Sequence, residues 1–385
     1  MNRSWNCFGK CIPALLLMVM LVGCDHKAVP IRIGHASPLS GNQAETGIDQ
    51  MRGAQLAVEE INRNGGILGR TVELLALDDK ADPKEATSVA HRLSADQSVV
   101  AVVGHLNSGC SIPASKVYND NGLAMITPVS TSDKLTQQGY RNVFRVCIRN
   151  SDQGPAAAYF AINTLVKKRF YIIDDKSAYG AGISDEFEKA AKELNGTIVG
   201  RASITEGETD FMAVLTTLKG KEIDFIYFGG MYPEGALLLK QARELGISVP
   251  FLSGDGMYSQ KLIEIGGDAI EGSIVTHIAP LESKDEKTKA FFEAFRRSFK
   301  EEVKVYAPLS YDSVMIIAQA IKEAGSTERS KVVQQMHLPG FSHTGVIGTT
   351  RFDEKGDTLN KIPFFYRVEK GKFVLMNTKT ATLDK

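Results

Sequence analysis

Tryptophan is scarce in this chain of 385 residues, and net charge is absent. The single tryptophan is Trp5, and 45 lysines and arginines are balanced by 45 aspartates and glutamates. A chain without excess positive charge gives no electrostatic reason to expect a nucleic-acid partner. Long apolar runs are also missing, because the run at residues 12–22 is too short to span a bilayer. What remains, 43% hydrophobic and 23% charged residues, is the composition of an ordinary globular protein.

The sequence motifs of the common enzyme classes are absent too. No phosphate-binding G-x-x-x-x-G-K-[ST] loop, no G-x-G-x-x-G after a first strand and no G-x-S-x-G nucleophile turn occurs. The seven histidines are scattered, without the i, i+4 spacing of a zinc site on a helix. His105 is the best candidate for a general base, although a buried structural histidine is the favoured interpretation. We therefore expect no enzyme, no metal and no cofactor.

The N-terminus has the features of an export signal. Arg3 and Lys10 precede the apolar run of residues 12–22, which suits a signal-peptide core. The run ends in Leu21-Val22-Gly23-Cys24, which resembles a bacterial lipobox, so residues 1–23 are predicted to be removed and Cys24 to be lipidated. An ordinary secretory signal with an unrelated cysteine is the alternative. Either interpretation places the mature protein outside the cytoplasm, in the periplasm, and the first tethers it to a membrane.

Two cysteines of the mature chain are left for the folded part, Cys110 and Cys147. An oxidising compartment permits a disulfide between them, and their spacing matches no metal motif. Two separate buried thiols are the favoured interpretation.

The chain length suits two domains. Apolar β-branched runs such as Val99–Gly104 alternate with amphipathic segments such as residues 48–64, which predicts an α/β fold with doubly wound parallel sheets. The alternation breaks near residue 150 and then restarts, so we expect two lobes joined by three crossings of the chain. The predicted boundaries are residues 24–149 with 279–357 for lobe 1, and residues 150–278 with 358–385 for lobe 2.

Polar residues follow several of the predicted strands. Ser108 lies in a loop after Val99–Gly104, ahead of a helix predicted from about residue 112, and Ser130 and Thr131 follow the next apolar run. Open α/β sheets bind ligands at the carboxyl ends of their strands, where helix N-termini favour an anion. We interpret these residues as a carboxylate site, although Ser and Thr also cap helices without binding anything.

Asp255 stands between two glycines at a predicted strand end in the second lobe. A buried carboxylate requires a cation, and the ammonium group of a ligand would supply one. An exposed turn of the Gly-Asp-Gly type is the alternative.

These features together resemble the periplasmic branched-chain amino-acid-binding proteins of ABC transporters, the leucine/isoleucine/valine-binding family. The similarity covers about residues 30 to 365. The segments that carry it are Ser40-Gly41, residues 64–66, Asp78-Asp79, residues 104–106, residues 153–155, residues 174–180, residues 232–234 and residues 352–357.

The resemblance implies roles for single residues. Ser108 and Thr131 would bind the ligand carboxylate, and the backbone at Ser130 would contact the ligand. Asp255 would bind its ammonium group, where the best-known members have glutamate, and Tyr179 would close over it. At two positions where members of the family place aromatic residues beside the ligand side chain, this chain has Thr46 and Met231.

The resemblance also implies a type I periplasmic-binding-protein fold and a function. The protein would close over an amino acid, of the leucine, isoleucine or valine type or another aliphatic one, and deliver it to an ABC transporter permease as a monomer. An amino-acid sensor of the same fold that reports to a receptor or regulator is the alternative.

The lipobox can be tested directly. Replacement of Cys24 by alanine is expected to leave the protein unprocessed by the lipoprotein peptidase or to release it from the membrane, because no thiol remains to carry the lipid. Membrane fractionation and mass spectrometry of the mature N-terminus provide the measurement. A wild-type protein that is soluble and unlipidated would contradict the prediction.

Overall fold

The computed structural model describes residues 1–2, 29–278, 285–359 and 361–376. The predicted signal-peptide core and Cys24 therefore lie outside the described residues. In the described part of the chain, no helix has the length and apolar character needed to cross a membrane.

The first lobe is built on five parallel strands. Every residue of β3 and β4 is buried, as expected of short apolar runs covered on both faces. The strands lie in the order β2-β1-β3-β4-β5. They are β1 (Ile31–Ser37), β2 (Val72–Asp78), β3 (Val99–Gly104), β4 (Ala124–Thr127) and β5 (Val143–Arg145).

Four helices connect or follow these strands. The second helix begins at Pro83, because Asp82 caps its first N–H groups and proline is favoured in a first turn. Helix α3 begins at Ser108, four residues before the predicted start. The helices are α1 (Ala44–Arg63), α2 (Pro83–Ala95), α3 (Ser108–Asp120) and α4 (Lys134–Gln137).

The second lobe repeats this topology. Its parallel strands lie in the order β7-β6-β8-β9-β10, so the first strand of each lobe sits between the second and the third. The strands are β6 (Arg169–Asp174), β7 (Thr197–Ser203), β8 (Phe225–Gly229), β9 (Phe251–Ser253) and β10 (Ile274–His277). The helices are α5 (Asn150–Tyr159), α6 (Gly180–Glu193), α7 (Met212–Thr216), α8 (Tyr232–Glu244) and α9 (Gln260–Gly266).

The chain then returns to the first lobe. The helix of residues Ala307–Ala324 packs against α1, and the two backbones approach so closely that a side chain at Gly53 would collide with the carbonyl of Ala307. The elements of this return are α10 (Glu286–Phe299), α11 (Ala307–Ala324), α12 (Arg329–Met336), β11 (His343–Gly345) and β12 (Gly348–Thr350).

The last two strands, β13 (Phe364–Glu369) and β14 (Lys372–Leu375), form a hairpin. The hairpin joins the second sheet because β13 pairs with β10 in the antiparallel direction. The expected doubly wound parallel sheets are therefore confirmed in both lobes, and the antiparallel hairpin extends the edge of the second sheet.

The chain passes between the lobes after β5 and again between residue 357 and β13. The crossing expected near residues 277–280 falls largely outside the described residues. The residue boundaries of the two lobes stay a prediction.

One fully buried arginine joins these crossings to the first sheet. Arg145, at the end of β5, has no solvent exposure and forms an ion pair with Asp357 at the last crossing. Its guanidinium also donates to the carbonyl oxygens of Ser130 and Ser132, at 3.0 Å each, and to Thr136 Oγ1 at 2.7 Å. The side chain therefore fixes both ends of the Ser130–Ser132 turn.

Replacement of Arg145 by methionine is expected to lower the free energy of unfolding by about 3 kcal/mol, because the buried Asp357 carboxylate loses its closest cation and keeps only Arg149 at 3.8 Å. Exposed Arg141, four residues earlier, provides the matched control: its replacement by methionine should change stability by no more than about 0.5 kcal/mol. Urea unfolding followed by circular dichroism measures both. Equal stability of the two variants would contradict a structural role for the ion pair.

Candidate ligand-binding site

A cavity lies between the lobes at the carboxyl ends of β3, β6, β8 and β9. This location follows from the strand order. The first strand of each sheet lies between the second and the third, so the loops that follow neighbouring strands turn to opposite faces of the sheet and leave a crevice between them. Four of the seven predicted ligand-binding residues line it: Ser108, Tyr179, Met231 and Asp255. The other lining residues are Ala81, Pro83, Leu106, Asn107, Gly109, Val129, Ser177, Glu206 and Tyr306.

Ser108 is the first residue of α3, so its hydroxyl lies at the N-terminus of a helix. The early start of α3 places this serine in the first turn, where free N–H groups and the helix dipole favour a negative group. The hydroxyl accepts a hydrogen bond from the backbone N–H of Ser132 at 3.3 Å, which brings the turn after β4 against α3.

Ser130 and Thr131 lie in that turn, and neither belongs to the cavity lining. The Ser130 hydroxyl is engaged within the lobe, 2.6 Å from Ser111 Oγ and 3.0 Å from the carbonyl oxygen of Leu106. Thr131 is 1% exposed, and its Oγ1 has no hydrogen-bond partner among the described residues. A buried hydroxyl without a partner costs free energy, so a ligand atom that reached Thr131 would be stabilised there.

Asp255 is 2% exposed, and three side chains donate to its carboxylate. Gln153 Nε2 and the Tyr179 hydroxyl donate to Oδ1 at 2.9 and 3.2 Å, and the Tyr306 hydroxyl donates to Oδ2 at 3.3 Å. Burial raises the pKa of the Asp255 carboxyl to about 6, and these hydrogen bonds oppose the rise. In the part of the chain that the structure describes, no lysine or arginine pairs with it.

The two glycines beside Asp255 are required by packing. A side chain at Gly254 would collide with the Tyr179 hydroxyl, and one at Gly256 would lie 2.8 Å from the Tyr179 ring and 2.9 Å from Met231 Sδ. The small residues thus let Tyr179 cover the Asp255 loop, where its hydroxyl also accepts from the N–H of Gly256 at 2.9 Å. The alternative of an exposed structural turn is wrong, because Asp255 is buried.

Tyr306 is a cavity residue that the sequence analysis did not identify. It comes from the first lobe, and Asp49 in α1 holds it by accepting hydrogen bonds at 2.7–2.9 Å from the backbone N–H groups of residues 304–307. Sequence alone offered only the weak signal of a tyrosine two residues before Pro308 at a helix start. The contact with Asp255 spans 51 residues of sequence.

Thr46 and Met231 occupy the two positions where members of the family have aromatic residues, and only one of them lies at the cavity. Met231 lines the cavity. Thr46 is buried in the first turn of α1 and donates to the carbonyl oxygen of Gln43 at 2.8 Å, so it supports the loop that carries Gln43.

The remaining chemical candidates have structural roles. His105 is buried between Asp79 Oδ2, 2.7 Å from its Nδ1, and the Tyr118 hydroxyl, 3.1 Å from its Nε2. Cys110 and Cys147 are free buried thiols, as favoured, and burial raises the pKa of the Cys147 thiol to about 12. Among the described residues, no cluster of histidine, cysteine, aspartate and glutamate could hold a metal ion.

Comparison with known proteins gives the context of this cavity. The family model described as periplasmic binding protein matches residues 30–372. The chain is 37% identical over 344 residues to the Leu/Ile/Val-binding protein homolog 1 of Brucella abortus, covering 89% of this chain and 91% of that protein. It is 35% identical over 331 residues to the leucine-, isoleucine-, valine-, threonine- and alanine-binding protein of Pseudomonas aeruginosa, covering 86% and 87%.

A solved structure agrees with these matches. The branched-chain amino acid transporter substrate-binding protein of Streptococcus pneumoniae, in complex with isoleucine, superposes with a TM-score of 0.83 at 32% identity, covering 90% of this chain and 98% of that one. The strand order and the two-lobed arrangement are those of the type I periplasmic-binding-protein fold. The chain belongs to the periplasmic binding protein family.

Proposed function

We propose that this protein is an extracytoplasmic solute-binding protein that closes over an α-amino acid and delivers it to the permease of an ABC transporter. The observation that carries the proposal is the buried carboxylate of Asp255, which faces the cavity with three hydrogen-bond donors and no paired cation among the described residues. An α-ammonium group supplies the missing charge. Ser108, Thr131 and the backbone at Ser130 hold the carboxylate of the same ligand.

The relatives indicate which amino acids to test first. Their names specify leucine, isoleucine and valine, and in one case also threonine and alanine. The solved relative contains isoleucine. We therefore expect branched-chain amino acids to bind through their α-carboxylate, at Ser108 and Thr131, and through their α-ammonium group, at Asp255.

Contacts between the lobes support a mechanism of closure. The Tyr232 hydroxyl donates to the carbonyl oxygen of Asn42 at 2.6 Å, and the Ser259 hydroxyl donates to Glu45 Oε2 at 3.0 Å. Together with the contact of Tyr306 to Asp255, these bonds join loops of the first lobe to loops of the second. We interpret this set of bonds as the contacts that form when the lobes close.

The site needs only one chain, because both of its walls come from the same polypeptide, so we propose that the protein acts as a monomer. From the export signal and Cys24 we further propose that a lipid on Cys24 holds the protein at a membrane, next to the transporter that it serves. The family description, periplasmic binding protein, supports a location outside the cytoplasm.

Ligand binding is expected to make the protein more compact, because the lobes close when an amino acid bridges Ser108 and Asp255. Small-angle X-ray scattering before and after saturation with leucine, or with the amino acid that stabilises the protein most in a thermal-shift screen, measures the radius of gyration. The Asp255→Ala variant at the same ligand concentration is the control. An unchanged radius of gyration for the saturated wild type would contradict closure about a hinge.

Replacement of Asp255 by alanine is expected to weaken amino-acid binding by two to three decades or more, since loss of one partner of a buried ion pair costs roughly 3–5 kcal/mol. Asp255→Glu should be milder, because it keeps the charge. Ligand-free Asp255→Ala should be as stable as the wild type or more stable at pH 8, where the carboxyl with its pKa raised to about 6 is ionised and opposes folding.

Calorimetric titration of the wild type and both variants measures the affinities, and urea unfolding at pH 8 measures the stabilities. An Asp255→Ala variant that binds within about threefold of the wild type would place the ammonium site elsewhere. The assignment to amino acids would then lose its main support.

A further inference from the structure

A second carboxylate, Glu206, lies on the wall of the same cavity. The residue follows β7, and its side chain is exposed to solvent. Gln43 Nε2 from the first lobe lies 3.4 Å from Glu206 Oε1, and Asn107 Nδ2 donates to Gln43 Oε1 at 2.8 Å. Glu206 thus contacts a different side chain from those around Asp255, and this contact joins the second lobe to the first.

The surroundings of Glu206 are strongly negative. Partial burial, the nearby charges of Asp175 and Glu234 and, to a smaller extent, the charge of Asp82 together raise the pKa of the Glu206 carboxyl to about 7. In the described part of the chain, neither Glu206 nor Asp175 nor Glu234 forms an ion pair with a lysine or arginine. Asp255 and Glu206 are the two charged residues among those that line the cavity, and both are acidic.

Several acceptor atoms beside Glu206 also lack donors among the described residues. Asp175 is 1% exposed and Glu234 is 5% exposed, yet Asp175 Oδ2 and Glu234 Oε2 have no hydrogen-bond partner there. Glu234 is adjacent to Glu206, because its other oxygen accepts from the N–H of Gly207 at 2.8 Å. Asn107 Oδ1, on a residue of the cavity wall, is unpartnered as well.

An aliphatic ligand side chain would leave the two acceptors of the cavity wall, the Glu206 carboxylate and Asn107 Oδ1, without a cationic partner, and the buried charges of Asp175 and Glu234 behind that wall uncompensated. Burying polar groups against an apolar side chain costs free energy, whereas a cationic nitrogen offers both charge and several N–H donors. The expected aromatic residues are also absent from Thr46 and Met231, so fewer rings are available to pack an aliphatic side chain.

We propose that the cavity takes an α-amino acid whose side chain ends in a cationic nitrogen, as in ornithine, lysine or arginine, and that Glu206 pairs with that nitrogen. The inference rests on the proposed function, since Ser108, Thr131 and Asp255 hold the α-carboxylate and α-ammonium groups that these amino acids share with leucine. Glu206 is the residue that determines whether the site prefers amino acids with a cationic side chain or amino acids with an aliphatic one.

The test is calorimetric titration of the mature protein at pH 8 with leucine, ornithine, lysine and arginine. At least one of the three cationic amino acids should bind about tenfold or more tightly than leucine, because sites built to hydrogen-bond a group reject ligands that lack it. Glu206→Gln keeps an amide oxygen for the contact with Gln43 and removes the charge. It should weaken cationic binding by about tenfold and leave leucine binding within about threefold.

Glu193→Gln is the matched control, because Glu193 is exposed at the end of α6 and does not line the cavity. This variant should bind every amino acid as the wild type does. If leucine binds more tightly than all three cationic amino acids, or if Glu206→Gln changes nothing, the proposal is overturned while amino-acid binding stands. If none of the four binds, this inference is overturned, and the proposed function fails with it only if the remaining amino acids, among them isoleucine, valine, threonine and alanine, also do not bind.

Discussion

The cost of burying the Asp255 carboxylate is the constraint on which the rest of the site depends. A charged group removed from water must be compensated, and here hydrogen bonds from both lobes compensate it only in part. Gln153 and Tyr179 belong to the second lobe, whereas Tyr306 is presented by the first. The carboxylate is therefore fully surrounded only when the lobes meet, and a cationic ligand adds the charge that the protein withholds. In the proposed mechanism, closure of the lobes and recognition of the ligand therefore both depend on the Asp255 carboxylate and its contact with the ligand ammonium group.

The repeated strand order explains why the two lobes can face each other in this way. In each sheet the first strand lies between the second and third, so the loops after the strands diverge and leave room for a ligand. Arg145 connects this architecture to the site. It holds the carbonyl groups of Ser130 and Ser132 on one side and Asp357, at the last crossing, on the other. A single buried guanidinium thus links the turn beside Ser108 to the hinge.

The cavity combines a shared part and a specific part. Ser108, Thr131 and Asp255 suit groups that every α-amino acid has. Glu206 lies in a different set of contacts, with Gln43 and Asn107, and Thr46 supports the loop that carries Gln43. Selectivity for the ligand side chain can therefore change at this end of the cavity without loss of the contacts that define the amino-acid class.

The sequence by itself determined the class of fold and predicted four of the residues that line the cavity. Alternating apolar runs and amphipathic segments predicted the strands and helices of both lobes, and polar residues after strands 99–104 and 250–253 predicted Ser108 and Asp255 as neighbours in a cleft. These signals are local, because strand burial, helix caps and turn residues act over a few positions. The antiparallel pairing of β13 with β10 joins strands far apart in sequence, and no local signal identified it.

Only the tertiary structure decided which groups surround the ligand. Tyr306 reaches Asp255 because Asp49, in a distant helix, fixes the backbone before α11. The negative surroundings of Glu206 arise from Asp175 and Glu234, which are 31 and 28 positions away in sequence and carry no shared motif. The burial of Asp255, as opposed to an exposed turn, depends on Tyr179 packing over two glycines. Contacts of this kind depend on distances in space, and no periodicity or spacing along the chain encodes them.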